Sequence, residues 1–151
     1  MLTHVHAADN VAVISAIDPD AIGTSTVVSP YADAGDFHTL LAVISAGTLG
    51  TGASLAAKLV QATTQAGGNS KDIPGAAIVA LTQAGGDSDT QAVISLQNAS
   101  LDVDNDFRFV AISITIATAG CDAGAILLGV SPRVGPASDA DASTVESVVR
   151  V

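Results

Sequence analysis

Residues able to do chemistry gather most densely at Leu101–Val110, "LDVDNDFRFV", where Asp102, Asp104 and Asp106 alternate ahead of an apolar run. Oxygens at positions 1, 3 and 5 are the first requirement of a helix–loop–helix calcium loop. Such a loop also needs Gly at position 6 and a bidentate Glu at position 12, where this chain has Phe107 and Ser113. The residues after Asp106 are strand-forming, not helical. The stretch is therefore expected to be a solvated turn whose carboxylates accept hydrogen bonds from backbone N–H groups. The competing reading is a weak loop-type calcium site on Asp102, Asp104 and Asp106.

Other candidates are sparser. His4 and His6 in "HVHAAD" would share one face of a strand, as a metal pair needs, and Asp9 or His38 joins them only if the fold allows it. Cys121 in "TAGCDAG" becomes a nucleophile only beside a His, and the expected reading is a small apolar residue next to a turn. No Gly-x-Ser-x-Gly elbow is present, and "GTLGTG" lacks a phosphate-binding lysine. Asn98-Ala99-Ser100 matches a glycosylation acceptor, which means little without a secretory signal. Fifteen acids leave paired carboxylates for sugar cleavage open, but one Tyr and three Phe are few for the ring platforms that accompany such sites. No catalytic residue, cofactor or resident metal is expected.

The elements that must position these residues are short and β-like. Gly, Pro, Asn and Asp clusters cut the chain into apolar runs at 11–17, 24–29, 38–47, 54–64, 73–83, 91–97, 107–119 and 124–131. Eight such runs with turn signals between them are the signature of a β-sandwich or barrel. The fold expected, with the family resemblance given below, is an all-β antiparallel sandwich, jelly-roll-like, of about eight strands. At 110–116 the alternation is cleanest, with Val110, Ile112, Ile114 and Ile116 on one face. Residues 54–64, "SLAAKLVQATT", fit a strand, or a helix capped by Ser54 and Gly67. The predicted core is Val13, Leu41, Val43, Leu59, Ile78, Ile94, Leu96, Val110, Ile112, Ile114 and Leu128.

At 151 residues the chain fits one domain, drawn as a sandwich over 1–137 and a C-terminal arm or edge strand over 138–151. In the arm, Ser143 and Glu146 suit a capping box on one short helical turn. Its end, "VESVVRV", is apolar for a free tail, so Val148, Val149 and Val151 join Val5 and His6 as candidate subunit contacts.

Fifteen acids against five bases give a net charge of −10, which repels nucleic-acid phosphate and anionic membrane alike. No apolar run reaches the ~20 residues needed to span a bilayer. The N-terminus shows no basic region leading into an apolar stretch, so no signal peptide is expected. One cysteine excludes an internal disulfide framework.

Three stretches together carry a family resemblance. They are "HTLLAVISAGTLGTGASLAAKLVQATTQAGGNSKDIPGAAIVALTQAGGDSDTQAVISLQ", "LDVDNDFRFVAISITIATA" and "LLGVSPRVGP", within residues 36–137. In strand-and-turn texture the chain resembles the capsid decoration, or cement, proteins of tailed bacteriophages. The resemblance implies a β-rich, non-catalytic accessory subunit on the outside of a virion, made in the bacterial host cytoplasm. It also implies the major capsid protein as partner, and a homotrimer matched to the three-fold positions of icosahedral shells. A carbohydrate-binding module of a virion or cell surface is the alternative, since it shares the fold texture.

Overall fold

The computed structural model describes residues 5–151. A four-residue helix, α1 (Ala7–Asn10), leads into β1 (Val11–Ile22), β2 (Thr26–Val28), β3 (Ala32–Asp33), β4 (Phe37–Leu49) and β5 (Ser54–Ala62). Then come β6 (Lys71–Ala77), β7 (Leu81–Thr82), β8 (Gln91–Gln97), β9 (Phe109–Ala117) and β10 (Cys121–Pro132).

The strands form two antiparallel sheets ordered β1-β10-β4-β8 and β2-β9-β5-β6, with β3 added on β9 and β7 on β5. Pro30 interrupts the segment holding β2 and β3, and residues 78–80 interrupt the one holding β6 and β7. Each pair is one broken strand lying along a single neighbour, which leaves eight strands in the paired order of a jelly roll.

Residues 54–62 are strand. β5 lies along β9 from Ser54 opposite Ala117 to Ala62 opposite Phe109. The stretch expected to cap a helix is a turn instead, closed by Thr63 N–H donating to the Gly68 carbonyl at 2.9 Å. Its alternating Leu55, Ala57 and Leu59 fill the core, which a helix would have scattered.

Between the sheets lie Leu40, Ile44, Leu55, Leu59, Ile112, Ile114 and Leu127, all fully buried. Of the predicted core, Leu59, Ile94, Leu96, Val110, Ile112 and Ile114 are buried, and Ile78 packs against it half-buried. Val13, Leu41, Val43 and Leu128 are not in the core. They stand half-buried on the outer face of the four-stranded sheet, while Leu40, Ala42 and Leu127 point inward. The run "TLLAVI" is apolar at both parities, so alternation gives no inward direction, and a choice off by one residue turns the whole strand over.

The C-terminal segment folds back on its own chain. Val13 N–H donates to Asp141 Oδ1 at 2.8 Å, and Ala142 N–H donates to the Val13 carbonyl at 2.7 Å. The capping-box region forms one turn, with Val145 N–H donating to the Ala142 carbonyl at 2.9 Å, and residues 141–151 contain no strand. Removing residues 138–151 is therefore expected to uncover the β1 edge. At about 1 kcal/mol for each lost hydrogen bond, the melting temperature should fall by roughly 4–8 °C while the circular dichroism stays β-type. A truncated chain that melts with the full one would show that the tail contributes nothing to the sandwich.

Candidate interaction surface

The aspartate-rich loop is a turn tied to the sheet beneath it. Val103–Asn105 form a single 3-10 turn and Asp106 takes a left-handed conformation, so the strand-like alternation needed to align three carboxylates is absent. Asp104 and Asp106 face solvent. Asp102 pairs with Lys71 Nζ and accepts from Asn105 Nδ2 at 2.8 Å, and its backbone N–H donates to Gln61 Oε1 at 2.9 Å. The Asp102 side chain thus bonds a lysine and an amide, not the backbone N–H groups expected of it. Among the described residues no group of three His, Cys, Asp or Glu is arranged to hold a metal ion. Saturating calcium or a chelator is expected to leave the melting temperature unchanged, because only a ligand that prefers the folded state raises it.

Lys71 first, and Asn105 second, hold the Asp102 carboxyl below the usual carboxylate range. A lowered folded value means stability that is fully present above the unfolded value and lost as pH falls through the lowered one. Asp102→Asn should therefore flatten the acid limb of a plot of melting temperature against pH. An unchanged limb would show that the ion pair is lost in solvent.

Cys121 is buried at the start of β10, and burial first, then the Asp122 carboxylate, push its thiol up. That is opposite to an activated nucleophile. His4 lies outside the described residues, while His6 and His38 are solvent-exposed. The four aromatic rings offer no open platform: Phe37 and Phe107 are buried, and Tyr31 and Phe109 are half-buried.

Of the candidate contacts at the chain ends, Val5, His6, Val148, Val149 and Val151 are all exposed. Arg150 reaches back to Asp9 Oδ1 at 3.2 Å and to Ser138 Oγ at 2.9 Å, drawing the C-terminus against α1.

The feature that composition hid is the outer face of the four-stranded sheet. Register sets Val13 beside Leu128 and Leu128 beside Leu41. A second row runs from Ala16 through Ile126 and Val43 to Val93. These residues cover one another only in part: Ile126 is 43% exposed and Val93 is 58% exposed. No charged side chain occurs in either row, on a chain of net charge −10. The signal was present in "VAVISAI", "TLLAVI" and "AILLGV", where aliphatic residues fall on both faces of the strand, the pattern of strands covered on both sides.

No protein-family model matches the chain, and neither does any curated protein. Among solved structures it is similar to a chain in a structure of the infectious bursal disease virus Gx strain, at 11% identity and a TM-score of 0.49. A chain of the Gt strain gives 13% identity and a TM-score of 0.41. Each similarity covers 85% of this chain, which spans about a third of the matched one, 34% and 33%. Values of this size carry no functional assignment.

Proposed function

We propose that the chain is a non-catalytic accessory protein of a virion, of the tailed-bacteriophage decoration type. In this reading it is made in the host cytoplasm and binds the outer surface of the major capsid shell, which it stabilises. The observation that carries the reading is the outer face of the four-stranded sheet, centred on Val43 and Ile126. An uncharged aliphatic face on a strongly acidic jelly roll marks a surface meant to be covered by protein. Viral shells and lectins both use this architecture, so fold alone does not choose between them. Scarce, covered aromatic rings disfavour the glycan reading, because sugar faces stack on open rings.

The test is retention on purified particles. Full-length protein should co-sediment with heads, and heads lacking it should break at a lower temperature. Val43→Asp and Ile126→Asp should weaken binding by at least about tenfold, since a charge would be buried unpaired. A specific glycan ligand with no particle association would replace the proposal.

A further inference from the structure

The two sheets have four outer edges, and three carry explicit obstacles to pairing. β1 holds Asp18-Pro19-Asp20 and two register shifts, and the tail occupies its Val13 groups. β2 is three residues long and stops before Pro30. β6 carries Lys71, Asp72 and Pro74, with Gly75 at φ +78° and a register shift against β5. Prolines, charges, bulges and short lengths are the ordinary means of keeping an edge from pairing.

The fourth edge has none of these. β8, "QAVISLQ", is seven residues long, has no charge and no proline, and runs beside β4 from Gln97 to Gln91 without a register shift. Ala46 N–H donates to the Thr90 carbonyl at 2.9 Å, which marks residues 46 and 90 as a hydrogen-bonded pair. Antiparallel alternation then gives β4 the backbone groups of Ala92, Ile94 and Leu96. The N–H and C=O groups of Gln91, Val93, Ser95 and Gln97 point away from the sheet, and among the described residues they have no ladder partner.

We propose that this edge pairs with β8 of a second copy, antiparallel about a two-fold axis at Ile94. In that register Gln91 meets Gln97 of the other copy and Val93 meets Ser95, so all four outward residues on each strand are bonded and none is left over. Ile94 meets its own equivalent in the non-hydrogen-bonded position, as it must, because its backbone groups already serve β4. This self-matching favours a second copy over a foreign strand, and a two-fold contact closes without forming a fibre. The join makes one eight-stranded sheet and merges the two outer aliphatic faces at Val93. The charge of −10 on each copy opposes association, and an edge with no charge of its own adds no local repulsion to it.

The pairing does not depend on the virion role, and its test uses the full chain alone. Sedimentation should show a dimer at micromolar concentration that tightens as salt rises to about 0.3 M, since salt screens the repulsion of two acidic copies. Val93→Lys and Ser95→Pro should each weaken the dimer by at least about tenfold; neither substitution removes a bond to β4. Both monomers should melt as cooperatively as the parent, and Thr26→Lys on the β2 edge should leave the dimer intact. A chain that stays monomeric at about 100 µM, or an oligomer such as a trimer that survives both β8 variants, would overturn the proposal.

Discussion

Gly129→Ala is expected to destabilise the folded chain by about 1–3 kcal/mol, a large effect for one added methyl group. Gly129 lies on β10 opposite Leu40, and the Phe37 ring packs flat over it. A Cβ built there would meet Phe37 Cε2 at 2.5 Å, and Cδ2 and Cζ at 2.6 Å. Phe37 is 1% exposed, so the ring has nowhere to go without opening the core. Phe37→Ala alone should cost about 3–5 kcal/mol through the cavity it leaves. The two changes should couple strongly. In the Phe37→Ala background Gly129→Ala becomes neutral or slightly stabilising, because the clash is gone and the glycine's entropic cost is relieved. Urea unfolding of the four variants measures this, and equal Gly129→Ala costs in both backgrounds would show that the ring and the glycine do not determine each other.

Leu40→Ala and Leu41→Ala, adjacent and chemically identical changes, should differ by about 1–4 kcal/mol, with Leu40→Ala the costlier. Leu40 is fully buried between the sheets, where leucine truncation costs about 2–5 kcal/mol. Leu41 stands on the outer face, half-covered by its neighbours Leu128 and Ser95, and loses only part of a side chain's transfer energy, about 1 kcal/mol. The measurement is best made on the β8 monomer variants, so that association does not add to stability. A larger loss at Leu41 would mean that β4 is turned over, and equal losses would mean that the outer face is covered as fully as the inner one.

The covered-face and open-edge readings make different demands on the surface. Val43 and Ile126 lie toward the middle of the four-stranded sheet and would meet a large partner. Val93 and Ser95 lie at its rim and would meet a strand. A chain with both features could join a neighbouring copy through β8 and keep most of its aliphatic face for a larger partner. Charged substitutions would separate the two proposals: those at Val93 should act on self-association, and those at Ile126 on particle binding.

Fold class and most strand positions are legible in the order of residues alone. Turn-forming clusters separate β-branched runs, and backbone groups in short extended segments must find partners on neighbouring strands. Residues 91–97 and the inward set Val110, Ile112, Ile114 and Ile116 are legible directly, because polar residues alternate with the apolar ones there. The turn at Asp102–Asp106 was legible for a related reason, since Phe107 and Ser113 break the calcium pattern. Tertiary structure alone decided which face of β4 and β10 points inward. Both parities of those strands are aliphatic, and the choice depends on the bulge in β1, on the Phe37 ring over Gly129 and on the opposing sheet. It also decided that residues 141–142 lie on β1, where the Val13 amide finds its acceptor in Asp141. The open edge of β8 exists only once four strands are ordered in space. No window of sequence shows which strand is last in a sheet.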